Sequence, residues 1–271
     1  MAMTHVDTPR LRIHIRHEGR GPRLLYLGGS GFDLSLRAPI FDSPLVDLYE
    51  IVAADPRGLG LTDAPPGDWT MTDYADDALA LSDALGWDRA HVLGESFGAM
   101  TALHLAAAAP DRIDRLCLSV GAAGGAGGQS FPIHQFQDLT DPRARAVASL
   151  TLQDRRFADL CARDHATADA MVTARIETER AFLAHAGNAT GYLRLLAARA
   201  GHDCWDKLPD IPHPTLILSG RYDDQSPLDR SQAIDRALRD SKLRIIDDGH
   251  GLLFRHPDAV QAVRDHLAAK T

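Results

Sequence analysis

Three side chains that together could activate a hydroxyl lie far apart in this chain of 271 residues. Ser96 sits between two glycines in GESFG, Asp223 and Asp224 follow an apolar run in SGRYDDQSP, and His250 lies in DGHGLLF. A serine hydroxyl is a poor nucleophile until a histidine takes its proton, and the histidine needs an acid to orient it. Brought together, these residues would perform acyl transfer. The pentapeptide alone is weak ground, because about 0.08 chance matches to Gly-x-Ser-x-Gly are expected at these residue frequencies. A serine at a glycine turn can equally be a helix cap.

The surroundings of Ser96 separate the two readings. AHVL before it reads as a strand and FGAMTALHLAAAA after it as a helix, the context in which this motif makes a nucleophile elbow. Small residues two before and two after the serine let a sharp, strained turn pass without backbone collision. The hydroxyl would then stand at a helix start, where free N–H groups and the positive end of the helix stabilise an anion. Phe97 N–H is the first such donor. The two aspartates follow TLIL and His250 follows LRIID, so both sit beyond strand carboxyl ends, where open α/β sheets build their sites.

Stepping along the chain, LRIHIRHEG alternates apolar and polar residues and predicts a half-buried edge strand that opens the sheet. RLLYLGG, YEIVAAD, AHVLGE, RLCLSVG, PTLILSG and KLRIIDD are short apolar runs of the kind buried on both faces of a parallel sheet. Helices are predicted at 73–86 after a Thr72 cap, at 97–109 before Pro110, at 228–239 after Pro227, and at 257–269 after His256. The alternation predicts a doubly wound α/β fold with a mostly parallel sheet flanked by helices. It stops after Val120 at the glycine-rich, flexible GAAGGAGGQ and resumes beyond Pro209. Residues 129–206 read as an inserted helical cap between core segments 1–128 and 207–271. Its Tyr192, Leu195, Leu196 and Arg199 make one helical stripe. Phe131, Phe136, Phe157, Met171, Phe182 and Trp205 serve the cap's own packing, with some facing the sheet.

Composition narrows the function. Hydrophobic residues at 45% and charged residues at 24% are ordinary for a compact globular protein. The net charge of −8, with no basic patch, disfavours nucleic acid and anionic membrane as partners. The amino terminus has no signal-peptide pattern, and no run reaches the roughly 18 apolar residues of a membrane span, so a cytoplasmic location is expected. Cys117, Cys161 and Cys204 are too scattered for a disulfide framework or zinc site. His14 and His17 fall on opposite faces of a strand, and no Asp or Glu completes a ligand set with them. Neither a metal nor a cofactor is expected, and a small-molecule substrate is. Oligomeric state is not written in these features. The Arg- and Ala-rich, Lys-poor composition suggests a GC-rich bacterial source.

Taken together, LLYLGGSGF, VAADPRGLGLTDAP, GESFG, LSGRYDDQSP and DDGHGLLFRHPDAV resemble the α/β-hydrolase superfamily, in its cap-bearing group of esterases, lactonases, proline iminopeptidases and carbon–carbon bond hydrolases. The order Ser, Asp, His is the order of that fold. The resemblance implies Ser96 as nucleophile and His250 as base. It selects Asp223, three after the glycine ending its strand, over Asp224, which becomes a turn or supporting residue. It also implies an oxyanion hole from the Phe97 and Ser30 N–H groups. The Ser30 hydroxyl is then either a third donor or a turn residue. Gly28-Gly29 departs from the His-Gly of many relatives. Asp55, Arg57 and Gly58 are implied to be structural, His256 a helix-start residue, and His202 and His213 exposed. The implied activity is ester or lactone hydrolysis of a small to medium apolar substrate, with carbon–carbon or peptide-bond cleavage, acyl transfer or ligand reception as alternatives. Serine at the elbow excludes epoxide hydrolase and haloalkane dehalogenase chemistry, which needs a carboxylate there.

Overall fold

Among the residues described by the computed structural model, 2–36 and 38–269, eight strands form one sheet. They are β1 (Ala2–Asp7), β2 (Arg12–Glu18), β3 (Arg23–Leu27), β4 (Glu50–Ala54), β5 (Ala90–Glu95), β6 (Ile113–Ser119), β7 (Thr215–Gly220) and β8 (Ser241–Ile246). Their order is β1-β2-β4-β3-β5-β6-β7-β8, with β1 and β2 antiparallel to their neighbours and β3 to β8 parallel throughout. All six predicted apolar runs are strands of this parallel part.

Period-two alternation sorts each central strand onto two cores. Leu25, Val92, Leu116 and Ile217 face helices α1 (Met71–Ala84), α2 (Phe97–Ala108) and α7 (Leu228–Ala237). Leu24, Tyr26, Leu93, Cys117 and Leu216 face the opposite way, toward Ile40 and Leu45 and toward α8 (Leu252–Arg255) and α9 (Pro257–Ala268). Burial on both faces explains why these strands read as continuous apolar runs. At about 1.5–3 kcal/mol for each fully buried large aliphatic side chain, the two layers dominate the favourable side of folding.

Several local expectations need correction. The strand Arg12–Glu18 is flanked outside by Ala2–Asp7, so AMTHVD and not LRIHIRHEG opens the sheet. Helix α1 starts at Met71 under Thr70: the Thr70 hydroxyl accepts from Asp73 N–H while the Asp73 carboxylate accepts from Thr70 N–H. That reciprocal capping box outcompetes a Thr72 cap. Strand β8 is largely exposed because it is the sheet edge, so its apolar run does not mean two-sided burial. The glycine stretch is packed and not free: Gly124 bridges Asp203, and a Cβ on Gly127 would lie 2.3 Å from the Trp205 ring. Its glycines permit close approach to Trp205.

Between β6 and β7 run α3 (Pro142–Gln153), α4 (Arg156–Arg163), α5 (His165–Ala184) and α6 (Asn188–Ala200). Ala146, Phe157, Ala168 and Val172 form a small cluster internal to these helices. Phe182, Leu195 and Leu196 instead pack on Leu59, Trp69, Tyr74, Phe97 and Met100, which belong to the sheet layer and its loops. The aromatics of the segment are therefore divided between its own packing and the contact that seats it beside Phe97.

Candidate active site

Strand β5 runs into helix α2 through Ser96, whose backbone lies at φ 55°, ψ −112°. That conformation is costly for a non-glycine residue and survives where surrounding structure imposes it. A Cβ on Gly94 would lie 2.4 Å from Gly98 O, and one on Gly98 would lie 1.9 Å from Leu27 O. Both glycines are thus required by close backbone approach, and Phe97 begins the helix with its N–H outside the helical ladder.

Two loops at the same sheet edge complete the chain of contacts. His250 Nε2 lies 2.8 Å from Ser96 Oγ, and His250 Nδ1 lies 2.7 Å from Asp223 Oδ2. The nitrogen facing the carboxylate carries the hydrogen, leaving the Nε2 lone pair for the serine hydroxyl. Asp223 is only 1% exposed, and its other oxygen accepts from the N–H groups of Gln225 and Ser226 at 2.8 and 2.9 Å. Those bonds hold it aimed at His250. Asp224, by contrast, pairs with Arg155 on the exposed side of the loop.

Ser30 lies in the turn after β3, closed by Phe32 N–H donating to Gly29 O at 3.0 Å. Its hydroxyl is buried without a partner among the described residues and takes no part in the turn's hydrogen bonding. A Cβ on the adjacent Gly29 would stand 3.7 Å from the Ser96 Cβ, so the loop passes directly over the serine. Phe32 covers Gly28, where a Cβ would lie 2.3 Å from the ring; an aromatic ring fills the place beside the departing Gly-Gly.

Ser30, Ser96, Gln225 and His250 line one cavity of about 560 Å³, whose other wall comes from the short 3-10 turn at Ile133–Asp138 and from α3, α5 and α6. That wall mixes Ile133, Phe136, Phe182 and Tyr192 with Arg145, Arg175 and Glu179, so a few charged groups stand within a mostly apolar lining. Arg145 donates to Glu179 at 2.7 Å, while Arg175 Nε is buried without a partner among the described residues. Glu95, the last residue of β5, accepts from Tyr26 O–H at 2.5 Å. Burial lifts the Glu95 carboxyl above its usual range, against the opposing pull of Tyr26 and His250.

Other expectations resolve around this site. Asp55 accepts from Leu34 N–H, Leu61 N–H and His14, and Arg57 makes two bonds to Asp77 at 2.6 and 2.7 Å. Both serve loop structure, as expected. His256 caps α9 by accepting from Asp258 N–H. His202 and His213 are buried, not exposed: His202 bonds Ala122 O and His104. Sequence reasoning passed over Gln225, Arg175 and Asn188. Only Gln225, two residues after the acid, carried a positional signal.

A family model described as alpha/beta hydrolase fold matches residues 27–257. The chain belongs to this family. The hydrolase is 27% identical to the poly(3-hydroxyalkanoate) depolymerase of Ectopseudomonas oleovorans, across 89% of this chain and 82% of that protein. It is 28% identical to the 2-hydroxy-6-oxononadienedioate/2-hydroxy-6-oxononatrienedioate hydrolase of Klebsiella pneumoniae subsp. pneumoniae, across 95% and 91%. The solved enol-lactonase from Burkholderia xenovorans LB400 superposes with a TM-score of 0.79 at 25% identity, covering 98% of this chain and all of that one. No helix among the hydrolase's described residues is long and apolar enough to cross a membrane.

Proposed function

We propose that this hydrolase cleaves a carboxylic ester or lactone of a small to medium substrate by acyl transfer through Ser96. The observation that carries the reading is the hydrogen-bonded chain Ser96, His250, Asp223 at 2.8 and 2.7 Å, opening into a cavity. His250 Nε2 takes the proton of Ser96 Oγ as the oxygen attacks the carbonyl carbon. Asp223 accepts from Nδ1–H and stabilises the imidazolium that forms. The carbonyl oxygen, now an anion, is held by the N–H groups of Phe97 and Ser30 at the helix start and loop. Nε2–H then protonates the leaving oxygen, and water releases the acyl group by the reverse sequence.

Residues 129–206 act as a cap that supplies the far wall of the cavity. The Arg175 guanidinium there, whose Nε has no hydrogen-bond partner among the described residues, suits a substrate with an anionic group away from the scissile bond. Similarity to a depolymerase of a polyester and to an enol-lactonase supports ester and lactone substrates. A second reading, cleavage of a carbon–carbon bond beside a ketone by the same serine, draws on the similarity to the 2-hydroxy-6-oxo-dienedioate hydrolase.

Labelling with a serine-directed phosphonate, followed by a panel of esters and lactones, tests the reading. The expected result is one adduct on Ser96, abolished in Ser96→Ala, with free acid as product. An unlabelled native protein, or equal labelling of Ser96→Ala, would overturn it.

A further inference from the structure

The Gln225 side chain touches the nitrogen that the proposed chemistry uses. Its Nε2 lies 2.8 Å from His250 Nε2, the same distance at which Ser96 Oγ approaches that atom. A neutral imidazole has one lone pair at this nitrogen, so two donors share it. The Gln225 backbone is already anchored without the side chain: its N–H donates to Asp223 Oδ1 at 2.8 Å, and its carbonyl accepts from Phe131 N–H at 2.8 Å. The amide is thus free to serve the site. Its Oε1 has no partner among the described residues, and the side chain lines the cavity.

The role becomes specific once Ser96 carries an acyl group. The serine then has no hydrogen to donate, and Gln225 becomes the neighbour that shares the space at Nε2 with the incoming water. Turning the amide over exchanges Oε1 for Nε2 with almost no change in shape. We propose that Gln225 positions the water that releases the acyl group, an inference that rests on the acyl-enzyme reading above. The water oxygen bonds to the acyl carbon as one water hydrogen passes to His250 Nε2. The other hydrogen is held by Gln225 Oε1. Collapse of the tetrahedral adduct breaks the bond to Ser96 Oγ, which recovers the proton from Nε2. Gln225 exchanges no proton.

Stopped-flow kinetics with p-nitrophenyl butyrate, combined with intact-mass detection of the acyl adduct after quenching, separates the two half-reactions. Gln225→Met, similar in length but without the amide, should leave acylation within about threefold and slow adduct release about tenfold, the value of one hydrogen bond lost at the rate-determining step. The adduct should accumulate in this variant even if it does not in the native enzyme. Gln225→Glu keeps an acceptor and loses the donor, and should retain release within about threefold. Equal slowing of acylation and release in Gln225→Met, or unchanged release, overturns the proposal. Rescue by Gln225→Asn but not by Gln225→Glu would assign the effect to the donor and overturn it too. If no variant forms an adduct on Ser96 from ester or phosphonate, the hydrolase mechanism itself fails, a result distinct from these.

Discussion

Asn188 donates to Asp33 at 2.8 Å across 155 positions of sequence, tying the first residue of helix α6 to the loop that carries Ser30. The same amide nitrogen donates to Phe182 O at 2.8 Å, and the amide oxygen accepts from Gly60 N–H at 2.8 Å. Asn188 is fully buried, so every one of these bonds replaces water. Asn188→Ala leaves Gly60 N–H and an Asp33 oxygen short of partners, at about 1–3 kcal/mol for each buried group left unsatisfied. Chemical denaturation should show a loss of about 2–6 kcal/mol for the two groups together, and KM should rise as the cavity wall loosens. A variant as stable as the native protein would refute the tether.

Acid should release the same tether. Burial works to raise the Asp33 carboxyl, but hydrogen bonds from Ser35 and Asn188 outweigh it and hold the group below its ordinary 3.8. A carboxyl depressed in the folded state stabilises above its unfolded value and loses that contribution as pH falls through the folded one. Native stability measured below about pH 4 should therefore fall more steeply than that of Asp33→Asn.

Glu95 behaves in the opposite sense. Its carboxyl is raised by burial, so its stabilising contribution is complete below the ordinary 4.5 and is lost as pH rises through the folded value. Glu95→Gln keeps an acceptor for Tyr26 O–H and removes the desolvated charge. Thermal melts should show Glu95→Gln above the native protein at pH 8, with the difference closing toward pH 4. A lower melting temperature at pH 8 would show that the charge is stabilised by its surroundings.

Gly98→Ala places a methyl 1.9 Å from Leu27 O, 2.4 Å from Leu27 C and 2.7 Å from Gly28 O, all backbone that no rotamer change can clear. Overpacking of side chains costs about 1–3 kcal/mol, and a backbone collision at a strained turn exceeds that range. Soluble Gly98→Ala should lose at least about 3 kcal/mol and its phosphonate labelling together.

Arg175→Gln tests the substrate reading of the cavity wall. Esters with a terminal carboxylate, such as the mono-p-nitrophenyl ester of adipic acid, should lose about ten- to hundredfold in kcat/KM, the span of a charge-assisted hydrogen bond of about 1.5–3 kcal/mol. The uncharged p-nitrophenyl hexanoate should change less than threefold. Parallel losses on both esters would remove the anionic-group assignment.

The parallel core was legible because β3 to β7 are buried on both faces and therefore read as unbroken apolar runs. Strand β8 carries an apolar run too, but its outer neighbour is solvent, a fact about sheet position that period and composition do not encode. Thr70 and Thr72 are equally good caps as residue types; the Asp73 side chain that reaches back to Thr70 N–H decided between them. The glycine stretch read as flexible because glycine is permissive, while the packing of Trp205 against it depends on residues nearly eighty positions away.

The sequence by itself determined the order of strand, turn and helix around Ser96, and the order of Ser96, Asp223 and His250 along the chain. These follow from local backbone sterics and from strands ending at one sheet edge. Tertiary structure alone decided that Gln225 meets His250 Nε2, that Asn188 joins Asp33, and that Arg145 takes Glu179 while Arg175 Nε finds no partner among the described residues. Those contacts depend on rotamers and on the placement of α5 and α6 against the sheet. Hydrophobic periodicity records which face of a helix is buried, but not which polar atom on that face meets which partner.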